Sequence, residues 1–278
     1  MIIDKNKNFH VLTIGGSDSS GGAGIQGDLK TFSALSCYGM SVITDLTAQN
    51  TQGVQEVQDI PSKFISSQIT SIFDDIRVDA VKIGMLFNAS VVKAVAKCLY
   101  EYKDLPIVLD PVMFAKSGDR LIEETAIEVI KKNLFPLATI VTPNIAEAAA
   151  LVGRHIQSPK DIEVATLELC SLGPEAIVVK GGNLTTQRSD DCMVTKGNRL
   201  KWLKQKRIPT QNTHGTGCTI SSAIASFLAQ SYSIEDAIRL AKKYLTGALK
   251  AGSDISIGTG KGPVMHFYKT WKKQIKKI

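Results

Sequence analysis

The sequence predicts an α/β protein built on a mostly parallel sheet with helices on both faces, and three observations carry that prediction. Short runs rich in valine and isoleucine alternate with longer segments of helical periodicity. The runs are nearly continuous in apolar residues, as strands covered on both faces must be. Each run is followed at once by a glycine or a polar side chain, and in open α/β sheets the carboxyl ends of the strands are where ligands bind.

Taken in order, residues 9–14 form the first strand run, and Gly15-Gly16-Ser17-Asp18 follows it. Residues 15–24 read as a flexible wall that closes on a small molecule, with a helix starting at Ile25. The run 40–46 leads into Thr47-Ala48-Gln49-Asn50, and the run 80–83 into Gly84-Met85. After a helical pattern over 91–100, the run 107–109 ends at Asp110-Pro111. A second helical pattern, 126–134, precedes the run 139–141, which ends at Pro143-Asn144 before a helix over 146–152. The run 177–179 ends at Lys180-Gly181-Gly182. Residues 192–195 and 200–203 read as a hairpin around Lys196-Gly197-Asn198, an antiparallel edge or flap. Six strand ends therefore converge on a single rim, and with no repeat or low-complexity linker the chain reads as one domain over 1–278.

Composition excludes several classes. At 278 residues with 44% hydrophobic and 21% charged residues, the chain can bury a large core. No apolar run approaches the roughly 20 residues a bilayer span needs, and the N-terminus lacks the apolar stretch of a signal peptide, so a cytoplasmic protein with no membrane partner is expected. Five cysteines without Cys-X-X-Cys spacing argue for reduced thiols rather than disulfides or structural zinc. Of the formal charge of +7, five units belong to lysines within the last ten residues, where Phe267, Trp271, Ile275 and Ile278 give a helix with one apolar stripe. A docked helix with a solvated lysine face explains that charge without nucleic acid.

The densest chemistry lies in Asn212–Thr219, spelled NTHGTGCT, where two glycines and a cysteine open an apolar helix. Bare N–H groups at a helix start bind anions, and glycine lets a phosphate approach without a Cβ in the way. The same partial positive charge would favour a thiolate on Cys218. A Gly-containing turn with Cys218 as a small apolar residue is the plainer alternative. No GxxxxGK[ST] loop is present. Gly22 to Gly27 satisfies GxGxxG, but Gly22 lies eight residues after Ile14 rather than at the strand end, which argues against a dinucleotide fold. Asn144 and Glu147 have the spacing of a capping box worth about 1 kcal/mol. A carboxylate beside a phosphate site is also how magnesium is held, mostly through water.

These motifs, TIGGSDSSGGAGIQGDLKTF, LTAQNTQGVQ, VKIGML, VLDPVMFAKSGD, IVTPN, VKGG and NTHGTGCT, resemble in order and spacing the bifunctional hydroxymethylpyrimidine and phosphomethylpyrimidine kinases of the ribokinase-like superfamily. The resemblance covers residues 11–267. It implies a three-layer α/β/α sandwich with a mostly parallel central sheet and a small β flap, a homodimer, ATP with Mg²⁺, and two successive phosphorylations of one pyrimidine arm in thiamin biosynthesis. By the same resemblance, Gln49 bonds the aminopyrimidine, with Gly16, Asp28, Met85 and Val112 around it. Asp110, Asn144 and Glu147 serve the metal and its waters, Lys180 and Thr216 the nucleotide, with Asp110 also at that end. Gly215, Gly217 and Cys218 form the anion hole. Cys218 stands where related sugar kinases place an aspartate, so a thiolate base for the first phosphorylation is expected, whereas the second nucleophile, a phosphate monoester, is already ionised.

Gly15 and Gly27 replace common alanines, Asn183 a frequent histidine, and Asp45 a small apolar residue that needs a partner or solvent. Two other readings stay open at this point: a pyridoxal kinase, which shares fold and motifs, and a non-catalytic binder of the same vitamins.

Overall fold

The computed structural model describes residues 8–114, 122–183 and 187–271. Along the chain run β1 (Phe9–Asp18), α1 (Gly24–Ala34), β2 (Cys37–Asn50), β3 (Gly53–Asp59), α2 (Ser62–Phe73), β4 (Ala80–Ile83), α3 (Ala89–Leu99) and β5 (Ile107–Leu109). They are followed by α4 (Glu124–Asn133), β6 (Ile140–Val141), α5 (Ile145–Val152), α6 (Pro159–Cys170), β7 (Ala176–Val179), β8 (Asp191–Thr195), β9 (Lys201–Leu203), α7 (Thr216–Ala229) and α8 (Ile234–Gly252). The strands form one nine-stranded sheet in the order β3-β2-β1-β4-β5-β6-β7-β8-β9. From β2 to β7 every pair is parallel, while β3, β8 and β9 add on antiparallel.

Helices cover both faces because the central strands are apolar on both. One core joins Leu12, Ile14 and Ile83 to Ile65, Val92, Ile127 and Ile162 of α2, α3, α4 and α6. The other joins Val11, Ala80 and Val108 to Phe32, Ile224 and Ile238 of α1, α7 and α8. This is the expected three-layer sandwich. The hairpin of β8 and β9 turns where expected, with Gly197 at φ 79°.

Three expectations need correction. β1 continues to Asp18, because Ser17 and Asp18 keep pairing with β2, so the closing wall begins only after the strand. β2 runs on to Asn50 and folds back into β3, a strand whose alternation is masked by its polar, largely exposed sequence GVQEVQD. At the tail, residues 267–271 form turns with Phe267 and Trp271 stacked 5.0 Å apart; the rest of the expected C-terminal helix, with Ile275 and Ile278, lies outside the described residues.

A bulge between β1 and β2 brings two polar side chains into the interior. Gly15 pairs with Ile43 and Ser17 with Leu46, so Thr44 and Asp45 together oppose Gly16, and both turn inward to full burial.

Candidate active site

A cleft opens along the carboxyl ends of the parallel strands. Gly16, Asp28, Gln49, Met85 and Val112 line it, as do Asp110, Asn144, Glu147, Lys180, Gly215, Thr216, Gly217 and Cys218. Every residue given a site role by the resemblance thus lines one cavity, where strand ends of the parallel sheet meet the starts of α1 and α7.

At one end, α7 begins beside charged groups. Its cap, Gly215, has φ 76°, and a Cβ there would overlap the Gly22 carbonyl oxygen, so only glycine lets the turn pack on the loop before α1. A Cβ on Gly217 would stand 3.5 Å from Lys180 Nζ and 3.6 Å from Asp110 Oδ2. The helix start, a lysine and a carboxylate therefore share one small volume. Lys180 donates to Asp110 Oδ1 at 2.6 Å, and Thr142 adds a bond at 3.2 Å. Burial alone would lower the Lys180 ammonium, but Asp110 and Glu147 outweigh it and hold it above its usual value.

Asn144 and Glu147 form the full capping box: Asn144 Oδ1 accepts from the Glu147 N–H at 3.0 Å and Glu147 Oε2 from the Asn144 N–H at 2.7 Å. The plain structural reading of this pair is therefore realised, and the Asn144 oxygen already has a donor. Glu147 is 3% exposed, and burial pushes its carboxyl well above the usual range despite nearby Lys180. Among the described residues no group of three or more His, Cys, Asp or Glu could hold a metal ion.

The thiolate expected at Cys218 is not what the site favours. Burial, assisted by the carboxylates of Asp28 and Asp110, pushes the thiol up to about 11, although Lys82 and a bond from the Gly24 N–H oppose the shift. The charge of one helix start is smaller than the cost of ionising sulfur amid two carboxylates.

Close to Cys218 and bonded to α7 itself, Asp28 is fully buried and accepts from Thr13 Oγ1 at 2.7 Å, Lys82 Nζ at 2.8 Å and Ser222 Oγ at 2.6 Å. Three donors fix its carboxyl group in place. Gln49 is clamped by its backbone, its N–H 2.9 Å and its C=O 2.8 Å from Ser19 Oγ, with its side-chain oxygen accepting from Thr47 Oγ1 at 3.1 Å. Asp45 Oδ1 is the buried side-chain polar atom without a hydrogen bond among the described residues.

Sequence reasoning missed three partnerships. Lys82, 1% exposed within β4, carries the counter-charge to Asp28; a lysine inside an apolar run was the available signal. His214 Nε2 lies 2.7 Å from Asp18 Oδ2, tying β1 to the α7 start. Burial alone would raise the Asp18 carboxyl, but His214, Ser20 and the Ala23 N–H hold it at about 2. Asp191, paired with Lys242 at 2.6 Å and accepting from the Gly181 N–H at 3.0 Å, braces the glycine turn after Lys180, and no local pattern announces it.

A parallel sheet with its cleft at the strand ends, a glycine-opened helix and a lysine facing the same space describe a small-molecule phosphotransferase of the ribokinase-like type. The phosphomethylpyrimidine kinase family model matches residues 18–265, and the chain belongs to that family. It is 44% identical to the hydroxymethylpyrimidine/phosphomethylpyrimidine kinase of Escherichia coli over 95% of this chain and 100% of that one. A crystal structure of phosphomethylpyrimidine kinase from Clostridium difficile superposes with TM-score 0.77 at 45% identity, covering 87% of this chain and all of the other. An ADP complex of Bacillus subtilis pyridoxal kinase gives TM-score 0.86 at 36% identity, covering 94% and 98%.

Proposed function

We infer that this protein phosphorylates 4-amino-5-hydroxymethyl-2-methylpyrimidine to its monophosphate and then to its diphosphate, using ATP, in thiamine biosynthesis. The observation that carries this reading is that one cleft is lined by the α7 start and Lys180 together with Gln49 and Met85, in a chain of this family. Gln49 offers the donor and acceptor that an aminopyrimidine edge requires, and Met85 an adaptable apolar wall. Gly16 and Val112 would close around the ring, with Asp28, held by three donors, as a fixed polar floor.

Phosphoryl transfer needs positioning and charge stabilisation more than covalent help. The N–H groups around Gly215, Thr216 and Gly217 would receive the moving phosphoryl group, while Lys180, anchored by Asp110, would lie against the nucleotide phosphates. Asp110 and Glu147 would hold a Mg²⁺ ion, since one or two carboxylates are what such a site commonly offers. Asn144 serves there by fixing Glu147. When bound, the metal would neutralise phosphate charge. Cys218 enters as a neutral thiol that fills the turn and donates weakly.

Incubation with ATP and the hydroxymethyl pyrimidine should give a product carrying two adjacent phosphates, detected by mass spectrometry. No phosphorylated pyrimidine, with brisk turnover of pyridoxal instead, would replace this reading by that of a pyridoxal kinase. That second reading is favoured by the superposition on pyridoxal kinases at TM-scores up to 0.87, although identity there is 32–36%. We place the enzyme in the cytoplasm as a homodimer; among the described residues no helix is long and apolar enough to cross a membrane. Sedimentation analysis tests the dimer.

A further inference from the structure

Asp45 is an acid where the resemblance leads one to expect a small apolar residue, and the β1/β2 bulge turns it inward next to Thr44. Thr44 Oγ1 lies 2.9 Å from Asp45 Oδ2 and 2.9 Å from the Met85 carbonyl oxygen. A hydroxyl carries one hydrogen. With Asp45 ionised, Thr44 can satisfy the carboxylate or the carbonyl, and the other is left as a buried acceptor without a donor. With a proton on Oδ2, the acid donates to Thr44, Thr44 donates to Met85, and both bonds exist. The orphaned Oδ1 fits the same state, because a neutral carbonyl oxygen tolerates burial far better than a carboxylate does.

Oδ1 also lies directly beneath Gly16, where a Cβ would overlap it. Asp45 thus touches two walls of the cleft, Gly16 by packing and Met85 through Thr44. The charged group bearing on it is Asp59, its register partner on the exposed edge strand β3; Gly16 and the Met85 carbonyl face it without charge. Burial, reinforced by Asp59, raises its carboxyl to about 6.

We propose that Asp45 is a positioning residue of the pyrimidine pocket: while it keeps its proton it supports Gly16 and holds the Met85 carbonyl through Thr44, and when it ionises the Met85 wall is released. The proposal rests on the assignment of Gly16 and Met85 to the pyrimidine end of the cleft. Asn is close in shape to the protonated acid, its amide N–H replacing the acid proton toward Thr44.

The test is kcat and KM for the hydroxymethyl pyrimidine and for ATP, from pH 5 to 8, in the natural enzyme, Asp45→Asn and Asp45→Ala. The ratio of pyrimidine KM in the natural enzyme to that in Asp45→Asn should be near one at pH 5 and rise about three- to tenfold by pH 8, the worth of one buried hydrogen bond. The ring's own titration is common to both proteins and cancels. The corresponding kcat and ATP ratios stay flat, and Asp45→Ala has a high pyrimidine KM at every pH. A ratio that does not change with pH, or kcat falling in step with it, overturns the proposal. Gln49→Ala is measured alongside: if it leaves the pyrimidine KM untouched, the pocket assignment itself fails, whereas a raised KM there with a flat Asp45 ratio rejects the role of Asp45 alone.

Discussion

Cys218 and Asp45 carry the sharpest consequences at the scale of single residues. With its thiol near 11, Cys218 is almost wholly protonated at neutral pH, so alkylation by iodoacetamide at pH 7.5 should be much slower than for a free thiol near 8.5. Loss of a general base costs about 100-fold or more, confined to the step that needs it. Cys218→Ala should instead lower both phosphorylations by a similar factor below about tenfold, read from single-turnover rates. Asp45 binds its proton more tightly folded than unfolded, with about 6 against 3.8, so the native state loses stability as pH rises through that interval. The penalty is complete above pH 6 at about 3 kcal/mol. Asp45→Asn should therefore match the natural melting temperature near pH 4 and exceed it by several degrees at pH 7.5. Both residues stood out in the sequence, Cys218 at the start of an apolar helix and Asp45 inside an apolar strand run, but their partners did not. Lys82 meets Asp28 across 54 positions, and no periodicity encodes such a meeting.

Among the elements, the parallel strands were legible because burial on both faces forces unbroken apolar runs. β3 was not, because an edge strand with exposed glutamines has no apolar face to display. The extension of β2 past Leu46 was hidden for the same reason, its last residues alternating half-buried with exposed. Helix α5 announced itself through its cap. Asn144→Ala removes the bond to the Glu147 N–H and should cost about 1 kcal/mol in denaturant unfolding, while also loosening Glu147 and raising the ATP KM. Gly215→Ala forces a side chain into a left-handed cap and into the Gly22 carbonyl, so it should abolish turnover with a loss of melting temperature.

Across the whole molecule, the cleft is held by contacts between distant parts of the chain. Asp18 and His214, 196 positions apart, bind the end of β1 to the start of α7. Because the Asp18 carboxyl is held at about 2 against 3.8 unfolded, this pair's stabilisation is present above pH 4 and is lost as pH falls toward 2. Asp18→Asn should cost about 2 kcal/mol at pH 7, and the gap to the natural protein should close in acid unfolding below pH 2. Sheet order and the convergence of strand ends follow from the α/β rhythm, so the rim was foreseeable; which side chains lock together across it depends on the packed tertiary structure.

His214 also meets Pro263 in an isolated bridge, so the turn that opens α7 is braced by segments near both extremes of the polypeptide. During synthesis on a ribosome, the amino-terminal strands can pair long before that brace exists. A nascent chain halted short of Gly215 would lack α7 and α8, its sheet largely bare on one face and its cleft half built, unable to turn over ATP however long it waits.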